Sequence, residues 1–223
     1  MLYLWPLLSF AIAYVLGSVS FAVIIAKRHG VDILKAGSGN PGATNVKRVI
    51  GKGPGNLVFF LDFLKGFIAA HWPMAAHNFD LLPPEVSVTW LGIAGLVGAV
   101  LGHSFSMFLR FRGGKGVATS IGGLVALMPV VTAIGLVIWY GVFALTRYVS
   151  VASIAFGLSL MPLAALLGEP PELTGLSFVL AIYIIVRHRA NLQRLMNGTE
   201  SKFEKKKATE ATKGTDKSAG GVK

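Results

Sequence analysis

Long apolar segments, separated by short polar loops, constrain this chain more than any other feature. A bilayer core about 30 Å thick is crossed by about 20 apolar residues in a helix. Lipid offers no hydrogen-bond partners, so a segment that crosses it must pair its own backbone groups, as a helix does. The sequence therefore predicts an all-α integral membrane protein. The apolar segments are residues 2–25, 56–76, 90–109, 117–145, 150–167 and 173–186.

The composition of the 223 residues agrees with a membrane protein. Hydrophobic residues make up 53% of the chain and charged residues 14%, against about 25% charged in soluble domains. The first apolar segment follows no basic residues, so we expect a retained span and not a signal peptide. The chain has no cysteine, which excludes disulfides, cysteine-ligated metals and thiol nucleophiles. The net charge is +11, and we expect the basic residues to face anionic lipids or anionic substrates.

The charge-free segment 117–145 is longer than one span needs and decides the predicted topology. Proline disrupts helices, so we expect a break at Met128–Pro129. Residues 117–128, which cover only about 18 Å as a helix, and residues 130–146 then form two spans, giving about seven in total. All 21 Lys and Arg residues then lie on or near one side of the membrane. The positive-inside rule predicts an N-terminus outside and a C-terminus in the cytoplasm.

The first polar loop contains the sequence GSGNPGATN, in which Gly37, Gly39 and Gly42 match the G-x-G-x-x-G fingerprint of dinucleotide-binding folds. That fold needs a strand after the loop, but the apolar run that follows is as long as a membrane helix. Glycine-rich turns also bind phosphate through backbone amides, and Thr44 and Asn45 add side-chain donors. Two interpretations remain open, a phosphate-binding loop and a flexible basic turn.

Two later polar segments face the same side in this topology. The sequence RGGKG places Lys115 among Gly113, Gly114 and Gly116 at the start of a span. The sequence RHRANLQRLMNGTE brings a histidine and an asparagine, three residues apart, onto one helix face. Converging basic side chains and glycine amides predict a site for one or two phosphate groups. We expect no nucleic-acid partner, because basic and aromatic residues are not interleaved in an exposed domain.

Three motifs, GSGNPGATN, GHSFSMFLRFRGGKGVAT and HRANLQRLMNGTE, resemble in sequence and order those of the acyl-phosphate:glycerol-3-phosphate acyltransferase family (PlsY), over residues 1–204. The resemblance implies a multi-pass enzyme of the bacterial cytoplasmic (inner) membrane, with its active site facing the cytoplasm. Such an enzyme transfers a fatty acyl group from acyl phosphate to the 1-hydroxyl of sn-glycerol 3-phosphate. The products are lysophosphatidic acid and phosphate, in the first step of bacterial phospholipid synthesis. We expect contact with membrane lipids, and no cofactor or metal.

The resemblance, carried over motif by motif, implies candidate roles for individual residues. Arg48 and Lys115 are expected to clamp substrate phosphates, with a contribution from Ser150 in the sequence TRYVS. His188 and Asn191 are expected to contact glycerol 3-phosphate, and these five residues are the catalytic candidates. The substrate-binding candidates, of which those in the first loop are expected to hold acyl phosphate, are Gly37, Ser38, Gly39, Asn40, Gly42, Thr44, Asn45, Gly113, Gly114, Gly116 and Glu200.

Acyl phosphate as the donor agrees with the lack of a histidine–aspartate base in this sequence. None of the five histidines has an aspartate five residues later, the spacing of other glycerolipid acyltransferases. Phosphate is a good leaving group, so positioning and electrostatics are expected to dominate catalysis. The proton acceptor stays open between the donor's own phosphate and His188. Asp62 and Lys65 are expected to pair within a span, structurally or as part of the site, and His103 to be a hydrogen-bonded packing residue.

We expect one transmembrane acyltransferase domain, residues 1–198, and a disordered basic cytoplasmic tail, residues 199–223, because the tail has few large apolar side chains. We also expect a monomer. Several glycines within the spans are expected to allow close helix packing more than to make room for an acyl chain. These are Gly92, Gly95, Gly98, Gly122 and Gly123.

A membrane transporter of phosphate or an organophosphate is the alternative function. Transporters place charges and broken helices near the bilayer midplane, whereas the charges of this chain ring one predicted surface. A non-catalytic scaffold is a third interpretation, but it would not need three glycine-rich basic loops. The pattern therefore favours an enzyme.

Overall fold

Ten α-helices and one short 3₁₀ helix make up the regular structure of residues 4–203, the part of the chain that the computed structural model describes. The predicted all-α class is confirmed for these residues. The helices are α1 (Leu4–Ser18), α2 (Phe21–Arg28), α3 (Ala43–Val49), α4 (Lys52–Asn78), α5 (Val88–Ser104), α6 (Val117–Leu127), α7 (Pro129–Thr146), α8 (Val149–Leu166), α9 (Pro171–Arg187) and α10 (Arg189–Met196), and the 3₁₀ helix is Met107–Leu109.

Four helical segments of the described residues are long and apolar enough to cross a membrane. α1 and α2 together make a segment of 25 residues, and α4, α7 and α8 qualify singly. The pair α9 and α10, bent by 54°, is a fifth segment if it forms one span. α5, with 17 residues, and α6, with 11, are apolar but shorter. The helices agree with an integral membrane protein of several spans, and the seven crossings and the orientation stay predictions.

The break predicted at Met128–Pro129 is confirmed. α6 ends at Leu127 and α7 begins at Pro129. Proline is well placed in the first turn of a helix, because the amide it lacks would have no intrahelical partner there. Thr132 donates to the carbonyl of Met128 from its Oγ1 at 2.7 Å and from its amide at 3.0 Å. The long charge-free segment is therefore two helices and not one.

The first apolar segment, predicted as one run over residues 2–25, is interrupted between α1 and α2. Ser20 is the N-cap of α2, and its Oγ accepts a hydrogen bond from the amide of Val23 at 3.4 Å. A helix end leaves its last carbonyl groups without intrahelical partners. At this break the carbonyls belong to residues 17–19, and side chains from distant parts of the chain donate to them, as described below.

Glycines set the closest helix contacts. Gly98 of α5 faces the carbonyl of Phe10 in α1, and a methyl group at Gly98 would overlap that oxygen. Gly122 of α6 faces the carbonyl of Phe63 in α4 in the same way. Small residues let membrane helices approach this closely. The expected packing role is confirmed, since a methyl group would also clash at Gly92, Gly95 and Gly123.

The core lies between α5, α6, α8 and α9, where Leu96, Leu124 and Phe156 are fully buried. Large apolar side chains are also exposed on the outer surface. Val137 is 71% exposed and Leu145 is 87% exposed. An extended apolar surface of this kind is unfavourable in water and marks a membrane-contacting face. The sides of the bundle therefore face lipid.

Candidate functional site

A hydrogen-bonded network, here called the Glu200 network, joins four candidate residues where α6 and α8 begin. Lys115 Nζ donates to Asn191 Oδ1. Asn191 Nδ2 donates to Glu200 Oε1 at 2.6 Å, and Ser150 Oγ donates to the same oxygen at 2.9 Å. Arg194 Nε donates to Glu200 Oε2 at 2.7 Å. The network thus connects residues from the second and third motifs and from the sequence TRYVS.

Helix ends place the members of this network. Lys115 lies just before the N-cap of α6, and Ser150 is the second residue of α8. Asn191 and Arg194 lie three residues apart on α10, a spacing that puts both on one face of the helix. A bend of 54° separates α10 from α9 just before these residues. Glu200 follows α10, and its amide donates to the carbonyl of Arg194 at 3.2 Å.

His188 lies at the bend between α9 and α10 and is buried. Its Nδ1 lies 2.8 Å from the carbonyl oxygen of Ile184. A carbonyl only accepts, so Nδ1 carries the proton and Nε2 is left as an acceptor. Burial, followed by the positive charge of Lys115, lowers the pKa of His188 to about 4. His188 is therefore neutral at neutral pH.

Lys115 carries its charge in an unfavourable environment. Burial lowers the pKa of Lys115 to about 8; the carboxylate of Glu200 opposes the shift, and the charges of Arg194, Arg187 and Arg48 add to it. Arg48, on α3, therefore lies near enough for its charge to act on Lys115. Four cations and one carboxylate leave an excess of positive charge. An anion bound here would stabilise the charged form of Lys115.

Glu200 is the negative member of the network. Burial raises the pKa of Glu200, but hydrogen bonds from Asn191, Arg194 and Ser150 outweigh burial, and the pKa lies below its ordinary value. Glu200 is therefore ionised at neutral pH. An ionised carboxylate that accepts three hydrogen bonds fixes the orientation of its donors.

The second glycine-rich turn, residues 113–116, turns its carbonyl groups toward Arg187. Arg187 Nη2 donates to the carbonyl of Gly114 at 2.7 Å and to that of Gly113 at 3.3 Å. The amide of Gly114 donates to the carbonyl of His103 at 3.1 Å. The amides of Lys115 and Gly116 donate to no acceptor within residues 4–203. Two free amides therefore lie beside the Lys115 side chain.

The first glycine-rich loop is organised from within by Asn45. Asn45 Oδ1 accepts from the amide of Ser38 at 2.9 Å, and Asn45 Nδ2 donates to the carbonyl of Ala36 at 2.9 Å. Gly37 has φ +59°, a left-handed conformation that favours glycine, and a methyl group there would overlap Asn45 Oδ1. The buried side chain of Asn45 thus holds the loop together, although the sequence predicted a substrate contact.

The other first-loop candidates lie at or near the surface. Ser38 and Arg48 are exposed. Gly42 is the N-cap of α3, so Thr44 lies in the first turn of that helix. Within the described part of the chain, no hydrogen bond joins this loop to the Glu200 network. The remaining candidates of the loop, Gly39 and Asn40, are partly exposed.

Three further residues form a buried cluster that the sequence only partly predicted. The expected pair of Asp62 and Lys65 is confirmed, with Lys65 Nζ at 2.9 Å from Asp62 Oδ1. Lys65 Nζ also lies 2.9 Å from His103 Nδ1. The expectation that His103 is hydrogen-bonded is confirmed, but its partner is 38 positions away and no local pattern indicates it. No three His, Asp or Glu side chains gather as metal ligands within residues 4–203.

Arg187 and Arg194 contact the site directly but were not among the candidates. Arg194 lies three residues after Asn191, so its helical spacing to a candidate was the available signal. Arg187 precedes His188, and its contact with the turn at residues 113–116 links elements that are far apart in sequence. Residues 204–223, most of the predicted tail, lie outside the described residues.

A family model and two related proteins match most of the chain, and all three carry the same description. Residues 7–198 match the family model described as glycerol-3-phosphate acyltransferase. A glycerol-3-phosphate acyltransferase of Thermus thermophilus is 46% identical over 199 residues, which cover 89% of this chain and 94% of that protein. The glycerol-3-phosphate acyltransferase of Aquifex aeolicus is 44% identical over 191 residues, covering 86% and 95%.

Two solved structures share the fold. One is the crystal structure of PlsY (YgiH), an integral membrane glycerol 3-phosphate acyltransferase, in its glycerol 3-phosphate form. It matches with a TM-score of 0.79 at 42% identity, covering 89% of this chain and 96% of that chain. The lysophosphatidic acid form of PlsY matches with a TM-score of 0.77 at 42% identity, covering 89% and 95%.

Proposed function

Because the chain belongs to the glycerol-3-phosphate acyltransferase family, we propose that it transfers a fatty acyl group from acyl phosphate to the 1-hydroxyl of sn-glycerol 3-phosphate. The products are lysophosphatidic acid and phosphate, in the first step of bacterial phospholipid synthesis. The observation that carries the proposal is the Glu200 network, which holds the half-buried, charged Lys115 beside two free backbone amides.

Substrate phosphates bind at the positive side of this network. Lys115 and Arg48 supply charge, and the amides of Lys115 and Gly116, just before α6, supply hydrogen-bond donors. Gly113 and Gly114 shape the turn that presents these amides. The excess of positive charge around Lys115 supports this role, because each bound phosphate would relieve the repulsion among the cations.

The remaining candidates complete the two substrate positions. His188 and Asn191 contact glycerol 3-phosphate, and Ser150 and Glu200 hold Asn191 and Arg194 in place for it. The first loop holds acyl phosphate through an exposed backbone and polar side chains. The loop residues in this role are Gly37, Ser38, Gly39, Asn40, Gly42 and Thr44, with Asn45 as the organiser.

In the acyl transfer, the 1-hydroxyl oxygen attacks the carbonyl carbon of the donor, and the bond from that carbon to the phosphate oxygen breaks. Lys115 and the turn amides stabilise the negative charge that develops. The hydroxyl proton passes to the departing phosphate. His188 is a weak base because its pKa is about 4, so it leaves the proton of the 1-hydroxyl to the phosphate. Its Nε2 instead accepts from the 2-hydroxyl of glycerol 3-phosphate and orients the acceptor.

The enzyme is a monomer of the bacterial cytoplasmic membrane with seven crossings. In this topology α5 and α6 also cross, the N-terminus lies outside, and the C-terminus lies in the cytoplasm. Basic residues of all the polar loops near the site then face the cytoplasm, as the positive-inside rule requires. The site therefore opens to the compartment that contains glycerol 3-phosphate.

A donor comparison tests the function. Purified protein in detergent is given glycerol 3-phosphate with either acyl phosphate or an acyl thioester, and lysophosphatidic acid is measured. We expect product with acyl phosphate only. Lys115→Ala should lower kcat by at least about 100-fold, the effect of removing one charge-stabilising donor, while the protein elutes as a folded species. Product formation from the thioester alone would refute the donor assignment.

The same preparation tests the transporter alternative. Sealed vesicles that contain the protein are incubated with radiolabelled glycerol 3-phosphate without any acyl donor. An acyltransferase leaves the label outside, whereas a transporter accumulates or equilibrates it inside. Uptake that depends on the protein, together with no acylation, would replace the proposed function.

A further inference from the structure

Three ionisable or hydrogen-bonding side chains are buried within the helices at a distance from the Glu200 network. Asp62 and Lys65 on α4 are each 2% exposed, and His103 lies at the end of α5. Burying an ion pair in a low-dielectric interior carries a desolvation penalty, and an apolar replacement of similar size is often as stable. Ionisable groups inside membrane proteins are commonly functional. The cluster therefore calls for a role beyond stability.

Lys65 holds the break between α1 and α2. Its Nζ donates to the carbonyl of Gly17 at 3.0 Å and to that of Val19 at 3.1 Å. Ser106 Oγ donates to the carbonyl of Ser18 at 2.6 Å. All three carbonyls at the end of α1 are thus paired with side chains from elsewhere in the chain. An ammonium group suits this place, because it donates in several directions at once.

His103 connects Lys65 to the turn at residues 113–116. His103 Nδ1 lies 2.9 Å from Lys65 Nζ and 3.5 Å from Asp62 Oδ1, so the ion pair occupies one edge of the ring and leaves the Nε2 edge free. That edge of the ring faces Gly114 so closely that a methyl group at Gly114 would overlap Nε2. The amide of Gly114 also donates to the carbonyl of His103 at 3.1 Å. The turn that ends in Lys115 therefore rests directly on His103.

We propose that Lys65 and His103 are positioning residues that fix the turn at residues 113–116 and, through it, the Nζ of Lys115. Lys65 contacts the break that leads through α2 into the first glycine-rich loop, and it contacts the histidine that supports the second. Asp62 balances the charge of Lys65 within the membrane. This inference rests on the proposed function, since it assigns these residues to the same site.

The first test removes both charges of the buried pair and leaves no unpaired ion. The variant is Asp62→Asn with Lys65→Met, and the matched control is Asp32→Asn with Lys35→Met. The control removes an exposed pair of the same i, i+3 spacing, with its charges 3.6 Å apart. Hydrogen–deuterium exchange of residues 112–116 is measured in detergent, together with kcat and KM for glycerol 3-phosphate.

We expect exchange at residues 112–116 to be faster in the buried-pair variant, while a reference segment in α8 exchanges as before. We expect kcat/KM to fall about 100-fold, mainly through kcat, because a catalytic group that is displaced by about 1 Å loses that much. The control should match the unsubstituted protein in both measurements. A folded buried-pair variant with unchanged exchange and kcat would overturn the proposal.

A second test leaves Asp62 and Lys65 unchanged. It tests the positioning role even if the buried-pair variant does not fold. His103→Ala and Gly114→Ala are made singly and together. If the turn rests on the histidine ring, the methyl group at Gly114 fits once the ring is gone, so Gly114→Ala lowers kcat at least tenfold less in the His103→Ala background. Purely additive losses would contradict the proposal.

The exchange measurement also separates this inference from the function on which it rests. Exchange at residues 112–116 requires no substrate, so it reports on the support of the turn even if the protein acylates a different acceptor. If the unsubstituted protein makes no lysophosphatidic acid but the buried-pair variant shows faster exchange, the proposed function fails and the positioning role stands.

Discussion

Lys115 is the residue whose environment is most informative about chemistry. It lies between one carboxylate and three guanidinium groups, and its side chain reaches Asn191 across a sequence separation of 76 positions. Glu200 acts on Lys115 more strongly than any single guanidinium group does, but the cations outnumber it three to one. Burial and the three cations together lower the pKa of Lys115, which agrees with the proposed role of this site in binding an anion.

The pH dependence of acylation follows from this pKa. Lys115 is charged below its pKa of about 8 and neutral above it, so kcat/KM should fall as the pH rises through about 8. Bound phosphate stabilises the charge, so the fall in kcat should lie at a higher pH than the fall in kcat/KM. Lys115→Arg is the control, because a guanidinium stays charged, and its residual activity should show no such fall.

Glu200 should set the pH at which kcat/KM falls on the alkaline side, here called the alkaline limb. Its carboxylate raises the pKa of Lys115, so Glu200→Gln should move the limb of kcat/KM to lower pH. Glutamine keeps the shape and one acceptor oxygen, which preserves the bonds from Asn191 and Ser150. Glu172→Gln, in the first turn of α9, is the matched control and should leave the limb in place. An unmoved limb in Glu200→Gln would show that another group titrates.

The sequence identified which residues come together better than it predicted their individual contacts. Lys115, Ser150, Asn191 and Glu200 were candidates, and the structure joins them in one network. Asn45 was expected to contact substrate, but its amide is used by its own loop. Hydrogen-bond partners depend on where distant segments meet, and residue type and spacing carry no information about that.

At the scale of elements, α6 is the shortest of the helices that are predicted to cross the membrane. Its 11 residues cover only about 17 Å, so it depends on its neighbours for stability. It packs on α4 through reciprocal contacts, in which Gly66 faces the carbonyl of Thr119 and Gly122 faces that of Phe63. Close backbone packing against α4 thus stabilises α6.

Gly122→Ala should therefore destabilise the protein. A methyl group would overlap the Phe63 carbonyl, and overpacking of this kind costs about 1–3 kcal/mol. Thermal unfolding in detergent, followed by circular dichroism, measures the effect. Gly141→Ala on α7 is the control, because no atom lies within 4 Å of the added methyl group. Equal melting temperatures for the two variants would contradict this account of the contact.

Element boundaries show which breaks a sequence can reveal. The break before α7 was predicted, because Pro129 acts on its own helix through covalent geometry. The break between α1 and α2 was not predicted, because Lys65 and Ser106 stabilise it from 46 and 88 positions away. Local signals in the sequence therefore located the break before α7, whereas only the packed helices reveal the break between α1 and α2.

At the scale of the whole molecule, the topology is the main prediction. The chain contains no cysteine, so single cysteines report accessibility without a background. With seven crossings, Glu85→Cys and Glu169→Cys should react with a membrane-impermeant thiol reagent in intact cells. Lys35→Cys and Ser201→Cys should react only after the membrane is permeabilised. Labelling of positions 35 and 201 from opposite sides would rule out a single site shared by the loops.

The short segment after α10, which contains Glu200 and Phe203, has a consequence for chains that end prematurely. Glu200 joins Ser150, Asn191 and Arg194, and the amide of Phe203 donates to the carbonyl of Arg147 at 2.9 Å. Ribosomes add these residues after the ten described helices have been synthesised. A nascent chain that stops short of them leaves the three donors without their common acceptor. We therefore expect a nonsense mutation ahead of codon 200 to give a product that keeps all ten described helices but acylates no glycerol 3-phosphate.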